Sequence, residues 1–197
     1  MGRDLRTIDN ERIYHVMCRG NNRGPLAWDR HDYESLVREL SRAATQHRWD
    51  VLAWCLMPNH YHVLMRTPFG GFSDGFQVAN GSHARRTNRR HGRSDHLFKN
   101  RPLSVEVSSD AHLVTAILYI ARNPVEAGLC ANAGGWPWGS YRATIGAEPA
   151  PRWLAVAEVQ SFFGRTPEAA RSELARLVHD GHLPVSDTDG EAPPLRT

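Results

Sequence analysis

Two extended, apolar segments joined by a short turn signal constrain the fold of this chain more than any other feature. Residues 51–57 are apolar almost throughout, Pro58-Asn59 follows, and residues 60–66 return to an extended pattern. Proline and asparagine favour tight turns, and apolar runs of this length are typical of buried strands. The pattern therefore predicts a β-hairpin whose first strand is central in a sheet.

Extended and helical patterns alternate along the rest of the chain. Residues 13–18 predict a first strand, and 96–107 predict an irregular or edge strand because they contain Pro102. Asp110 is the expected N-cap of a helix that Asn123-Pro124 ends. The helices are predicted over residues 29–48, 74–90, 110–122, 153–163 and 168–180. This order indicates an α+β fold, a sandwich of helices on a mostly antiparallel sheet.

Two histidines, His60 and His62, occupy alternate positions in the second strand of the predicted hairpin. Alternate side chains of a strand share one face, so the two imidazoles project together while Tyr61 points the other way. Two imidazoles at this spacing can bind one divalent cation. Ordinary histidines on a half-exposed strand show the same spacing, so the pattern alone leaves both interpretations open.

The helix predicted over 110–122 is apolar around most of its circumference except for one narrow stripe. The stripe contains His112, Thr115, Tyr119 and then Asn123, at steps of three and four residues. A phenol can attack a phosphate that a metal polarises, and an amide oxygen can bind a hard cation. The alternative is a stripe that faces solvent, with Tyr119 at the boundary of the core.

Positive charge is concentrated between these two features. Residues 84–101 contain seven basic side chains and one acid, Asp95, whereas the whole chain carries a net charge of only +3. Such density fits a phosphate backbone, and His91, His96 and Phe98 offer stacking surfaces. The alternative is a charged helix that faces solvent. A genome whose codons favour arginine would also explain the large number of arginines. The candidate DNA-binding residues are Arg85, Arg86, Arg89, Arg90, Arg93, Lys99 and Arg101.

Composition argues against several other classes of protein. No apolar run is long enough to span a bilayer, and the charged amino terminus does not resemble a signal peptide. Cys18, Cys55 and Cys130 include no CxxC pair, which argues against a disulfide framework. We therefore expect a soluble cytoplasmic protein without a membrane partner. A zinc hydrolase using Cys55, His60 and His62 is a third possibility, but no activating glutamate lies close in sequence.

These motifs occur together, and in the same order, in a known group of proteins. The segments are YHV at 14–16, RGN at 19–21, MPNHYHVL at 57–64, NRR at 88–90, YIARNPVEAGL at 119–129 and WPWGSY at 136–141. In this order they resemble the single-tyrosine HUH transposases, specifically the REP-associated tyrosine transposase (RAYT) branch. The resemblance extends over about residues 8–155.

The resemblance implies a ferredoxin-like fold in which the HUH strand lies in the sheet and the tyrosine helix packs beside it. It implies that His60 and His62 bind Mg²⁺ or Mn²⁺ with Asn123 as third ligand. It also implies that Tyr119 attacks a phosphate of single-stranded DNA, which leaves a 5′-phosphotyrosine and a free 3′-OH. The substrates implied are the hairpins of repetitive extragenic palindromes, held by the basic segment, and the protein would act as a monomer or homodimer.

The extent of these motifs, the helical patterns after them and the composition of the C-terminal stretch set the expected organisation of the chain. A catalytic domain is expected over residues 1–150, a C-terminal helical extension over 151–181 and a disordered tail over 182–197. Trp136 and Trp138 are expected to pack against the tyrosine helix, and stacking on a flipped base is the alternative.

A catalytically silent protein that binds DNA hairpins is the main alternative to an enzyme. Such a protein would use the basic segment but would have no need of the tyrosine and its three companions. The presence of His60, His62, Tyr119 and Asn123 together favours the enzyme.

Overall fold

A four-stranded sheet with helices on both faces organises the chain. The computed structural model describes Asp9 and residues 11–181, so the predicted tail over 182–197 lies outside the described residues. The strands are β1 (Ile13–Arg19), β2 (Asp50–Leu56), β3 (His60–Arg66) and β4 (Leu103–Val107). The helices are α1 (Arg30–Gln46), α2 (Phe72–Arg90), α3 (Asp110–Glu126), α4 (Tyr141–Thr144), α5 (Val156–Ser161) and α6 (Pro167–Asp180). In the described part of the chain, no helix combines the length and the apolar character that crossing a membrane requires.

The strands lie in the order β2-β3-β1-β4, and all neighbours are antiparallel. With the element order β1-α1-β2-β3-α2-β4, this is the ferredoxin-like topology. The predicted α+β sandwich and the predicted β2–β3 hairpin are both confirmed, but the prediction that the first hairpin strand is central is wrong, because β2 lies at the edge of the sheet. The hairpin strands are apolar on both sides because helices cover both faces of the sheet.

Alternation along the strands divides the interior into two cores. Val16 and Val63 face α1 and α2 on one side of the sheet. Leu64 faces the other side, where it belongs to one buried cluster with Leu118 of α3 and Leu174 of α6. The C-terminal helices therefore share a core with the helix that carries Tyr119.

The prediction that α3 ends at Arg122 is wrong, because the helix continues to Glu126 with Pro124 inside it. Proline lacks the N–H that would bond to the preceding turn, and it disfavours helical backbone in the residue before it. Helical bonding resumes beyond it, since the Ala127 N–H donates to the Asn123 carbonyl at 3.0 Å. Asn123 therefore lies within the helix, one turn after Tyr119.

Other predicted boundaries also differ from the structure. The N-cap of α3 is Ser109 rather than Asp110, and its hydroxyl accepts from the His112 N–H at 3.2 Å. The strand predicted over 96–107 is regular only from Leu103, because Pro102 has no N–H for the ladder. The helix predicted over 153–163 begins only at 156, because the preceding N–H, that of Ala155, donates to the backbone of β2.

The loop that contains Trp136 and Trp138 covers the outer edge of β2. The Leu56 N–H donates to the Trp138 carbonyl at 2.7 Å, and the indole N–H of Trp136 donates to the Leu56 carbonyl at 3.0 Å. The Trp138 ring stacks on Tyr33 of α1, with centroids 4.8 Å apart. The prediction that Trp138 packs against the tyrosine helix is therefore wrong, whereas Trp136 touches both cores.

Candidate functional site

The four residues predicted for the metal and the nucleophile lie together on the sheet face that α3 covers. The ring centroid of His62 is 4.9 Å from that of His60 and 5.5 Å from that of Tyr119. The Asn123 Nδ2 atom lies 3.4 Å from the His62 Nε2 atom. Both histidines and Asn123 are buried, while Tyr119 is half-buried. The stripe on α3 therefore faces the histidine strand at its C-terminal end, instead of lying wholly in solvent.

Local structure explains how β3 presents its imidazoles. The turn residue Asn59 contacts His60, with Oδ1 and Nδ1 2.7 Å apart, so this side chain can accept the proton on Nδ1. The Nε2 atom of His60 is then the nitrogen with a free lone pair. Tyr61, between the two histidines, points to the opposite core and donates its hydroxyl to Asn80 Oδ1 at 2.7 Å.

Strand β1 adds a third histidine that the sequence analysis did not select as a site residue. His15 Nε2 lies 2.9 Å from His62 Nδ1, and both side chains are buried. The ring centroid of His15 is also 6.1 Å from that of Tyr119. The alternation of side chains along β1 could have indicated His15, because odd-numbered residues of this strand face α3.

Arg19, at the end of β1, is a second residue that the sequence analysis missed. It lies opposite His60 in the β1–β3 register and on the same face of the sheet. Its charge contributes to lowering the pKa values of His60, His62 and Tyr119. Arg19 forms no ion pair with any residue that the structure describes.

Burial keeps the histidines of the site neutral. It lowers the pKa of His60 to about 4, with a further contribution from the Arg19 charge. Burial likewise lowers the pKa of His15 to about 4 and that of His62 well below its ordinary value. Burial raises the pKa of Tyr119, and a hydrogen bond with Asn123 opposes this rise. At neutral pH the site therefore offers imidazole lone pairs and a protonated phenol.

This donor set fits a divalent cation. Neutral imidazole is the form that binds metals, and rotating the Asn123 amide by half a turn would present its oxygen in place of Nδ2. Within the described residues, no three or more His, Cys, Asp or Glu side chains form a group that could hold a metal ion. Further ligands would have to come from water or from the phosphate of a substrate.

The structure gives no support for zinc at Cys55. Cys55 is paired with His62 across the β2–β3 ladder, but its thiol is buried and lies 3.8 Å from the Met57 sulfur. Burial raises the pKa of this thiol, so it stays protonated, whereas a zinc ligand must be a thiolate.

The predicted DNA-binding arginines of α2 point in two directions. Arg90 forms ion pairs with Asp29 at 2.5 Å and with Asp32 at 2.8 Å, and Arg86 pairs with Glu39 at 3.3 Å. These acids belong to α1 or to its N-cap, so the two arginines join α1 to α2. Their charge is already balanced within the fold.

The remaining basic residues of the segment are exposed and have no carboxylate partner among the described residues. Arg85 and Arg89 lie one turn apart on α2, and the Arg93 guanidinium lies 5.1 Å from the centre of the Trp28 ring. Lys99 and Arg101, in the connection between α2 and β4, are likewise exposed and without a carboxylate partner among the described residues.

A groove of about 1030 Å³ lies beside the site, between α2 and the connection that leads to β4. The half-buried Phe98 provides aromatic surface in this groove, and Arg19, Lys99 and Arg101 provide positive charge. Aromatic surface combined with a positive lining suits single-stranded nucleic acid.

Comparison with protein families matches this chain to the IS200-like transposases over residues 10–123. The match covers more than half of the chain. This chain belongs to the IS200-like transposase family. The matched region of this IS200-like transposase includes the histidine pair, Tyr119 and Asn123, and the resemblance drawn from the motifs is confirmed. No match was found among curated protein sequences.

Two solved structures are similar to this IS200-like transposase. One is a REP-associated tyrosine transposase bound to a REP hairpin, with a TM-score of 0.62 and 18% sequence identity over 77% of this chain and 89% of that chain. The other is a candidate transposase from Deinococcus radiodurans R1, with a TM-score of 0.41 and 21% identity over 57% of this chain and 91% of that chain. The first shows that the two proteins share a fold.

Proposed function

We propose that this IS200-like transposase cuts and rejoins single-stranded DNA next to a hairpin, with Tyr119 as the nucleophile. The observation that carries the proposal is the convergence of Tyr119 and Asn123 with His60 and His62 on one face of the sheet. A protein that only bound DNA would have no use for a tyrosine held over two neutral imidazoles.

In the cleavage step, the Tyr119 hydroxyl oxygen forms a bond to the scissile phosphorus, and the bond from that phosphorus to the 3′ oxygen breaks. The phenolic proton passes to solvent, and the departing oxygen takes up a proton to become a free 3′-OH. The product is a 5′-phosphotyrosine. Because this ester keeps the energy of the broken bond, a second 3′-OH can reverse the reaction without ATP.

His60, His62 and Asn123 would hold Mg²⁺ or Mn²⁺. When bound, the cation would neutralise the charge of the scissile phosphate and orient it. Arg19, beside His60, supplies a fixed positive charge to the same phosphate and favours ionisation of Tyr119.

A hairpin next to a single strand is the substrate that the charge distribution favours. We assign the hairpin backbone to Arg85, Arg89 and Arg93, and the single strand to the groove lined by Lys99 and Arg101. The similar structure bound to a REP hairpin supports repetitive extragenic palindromes as the hairpin class.

The proposal is tested with Tyr119→Phe, which removes only the attacking oxygen. Wild-type protein should form a covalent adduct with a single-stranded hairpin oligonucleotide in Mg²⁺ or Mn²⁺, visible on a denaturing gel. Tyr119→Phe should form none, while its affinity for the hairpin changes by less than about threefold because the hydroxyl contributes little to binding. Tyr141→Phe, which alters another half-buried tyrosine, is the matched control and should retain the adduct.

Two results would contradict the proposal. Adduct formation by Tyr119→Phe would show that another group is the nucleophile. Tight hairpin binding by the wild type without any adduct, in either metal and across a panel of hairpins, would establish the silent DNA-binding protein instead.

A further inference from the structure

The contact between His15 and His62 determines which nitrogen of a proposed metal ligand is available. His15 Nε2 and His62 Nδ1 are 2.9 Å apart, which is hydrogen-bond distance, and the two side chains are 7% and 1% exposed. One of the two nitrogens must carry the proton and the other must accept it.

The opposite side of His62 decides the direction of this hydrogen bond. His62 Nε2 faces the Asn123 amide nitrogen at 3.4 Å, and an amide nitrogen can only donate. In this orientation of the amide, Nε2 is the acceptor, so the proton of the neutral ring is on Nδ1 and is donated to His15 Nε2. In the reverse arrangement, Nε2 of His62 would carry a proton and could not bind a cation.

We propose that His15 is a positioning residue that holds His62 in the tautomer whose Nε2 lone pair is free for a metal ion. This inference rests on the metal site of the proposed function, but the tautomer itself exists without metal. Hydrogen-bond partners of this kind orient metal-binding histidines and commonly change metal affinity about 10- to 100-fold.

The position of His15 in the sheet fixes the geometry of its contact with His62. His15 and His62 lie on adjacent strands, with His15 opposite Leu64 and His62 opposite Met17. They are thus diagonal neighbours on one face, and the backbone ladder holds both rings, whose centroids are 5.0 Å apart. His60 is oriented differently, by Asn59 of the turn.

The test uses two substitutions of the full chain. In His15→Gln, the side-chain oxygen reaches about as far as the imidazole Nε2 and can accept the same proton. In His15→Leu, the volume is similar but no acceptor remains. His112→Gln is the control, because it changes another histidine near His15 that does not contact His62.

Two measurements are made on each protein. Long-range ¹H–¹⁵N spectra of ¹⁵N-histidine protein report the His62 tautomer without metal, and titration with Mn²⁺ followed by electron paramagnetic resonance reports affinity. Wild type, His15→Gln and His112→Gln should show the Nδ1-protonated form of His62. His15→Leu should show a mixture and should bind Mn²⁺ about 10- to 100-fold more weakly, while His15→Gln stays within about threefold of wild type.

The outcomes separate this inference from the proposed function. If folded His15→Leu keeps the His62 tautomer and the Mn²⁺ affinity of the wild type, His15 has no positioning role. If wild-type protein binds neither Mn²⁺ nor Mg²⁺, the proposed metal site and the role of His15 toward a metal are both overturned, even where the spectra still show the tautomer.

Discussion

Arg19 is the residue whose position most directly links the sheet to the proposed chemistry. It is an arginine next to the histidine pair, and it forms no ion pair with any described residue. A cation placed there is available to the phosphate of the proposed substrate, because no described carboxylate pairs with it. Its role should therefore appear more in the rate of cleavage than in hairpin affinity.

Replacing Arg19 with Gln should slow adduct formation by about 100-fold, because removing one preorganised group at a reacting phosphate typically costs this much. Hairpin affinity should fall less than about tenfold, since other cations, Arg85, Arg89 and Arg93, are the ones proposed to contact the backbone. Single-turnover kinetics of adduct formation, with separate measurement of DNA affinity, checks both values. Arg165→Gln, at an exposed arginine in the α5–α6 connection, is the control. Equal rates for Arg19→Gln and wild type would remove Arg19 from the mechanism.

The buried histidines predict how stability depends on pH. The folded pKa values of His15 and His60 are about 4, against an ordinary value of 6.5, so the unfolded chain takes up protons first. The free energy of unfolding should therefore decrease from about pH 6.5 toward pH 4, by up to about 1.4 kcal/mol per pH unit for each histidine. Urea unfolding in the presence of EDTA measures this slope.

His15→Gln is the control for that slope. It removes one titrating histidine, so the slope should decrease by the contribution of that histidine. The ion-paired carboxyl groups of Asp29 and Asp32 contribute mainly below this range, because their pKa values are lowered from an ordinary value of 3.8. A free energy of unfolding that is equal at pH 7 and pH 5 would contradict the prediction.

At the residue level, sequence reasoning found the side chains whose relation is local along the chain. His60 and His62 share a face because of strand alternation, and Tyr119 and Asn123 share one because of the helical repeat. His15 and Arg19 were missed because their role depends on which strand pairs with β3. That pairing is set by packing of the whole sheet, and no short-range spacing reveals it.

At the level of elements, α2 shows why a count of charges was insufficient. Seven basic residues in one segment predicted one DNA-binding surface, but adjacent positions on a helix point about 100° apart. Arg86 and Arg90 thus meet the acids of α1 or its N-cap, while Arg85 and Arg89 point away from them. The acids lie roughly fifty residues earlier in sequence, so the division was not visible from the segment alone.

This division gives a matched pair of variants on one helix. Arg85→Gln/Arg89→Gln should weaken hairpin binding and reduce the slope of log affinity against log salt by about 2, because each lost phosphate contact contributes about 1. Arg86→Gln/Arg90→Gln removes the same charge but should mainly lower the melting temperature, since it takes from the buried Asp32 its partner arginine and from the buried Glu39 the shorter of its two arginine contacts. Salt titrations and thermal unfolding of both variants test the division. Identical salt slopes for the two would refute it.

At the scale of the whole molecule, the sheet lies between two hydrophobic cores. The core that contains α3 and α6 positions Tyr119. Arg66 of β3 donates to both carboxylate oxygens of Glu158 in α5, at 2.9 and 2.7 Å. Arg122 of α3 donates to the Val178 carbonyl of α6. The C-terminal helices therefore connect the sheet to the tyrosine helix.

Leu174→Ala tests whether these helices unfold together with the catalytic part of the chain. Leu174 is 1% exposed in the cluster that contains α3, so the cavity should lower the free energy of unfolding by about 3 kcal/mol. Because α6 supports α3, the loss should appear in a single cooperative transition, monitored both by circular dichroism and by tryptophan fluorescence. Ser172→Ala, at an exposed position of the same helix, should leave stability nearly unchanged. If Leu174→Ala instead produces a separate early transition and leaves the rate of adduct formation unaltered, residues 151–181 are an independent appendage, and the position of Tyr119 is fixed by the sheet and α3 alone.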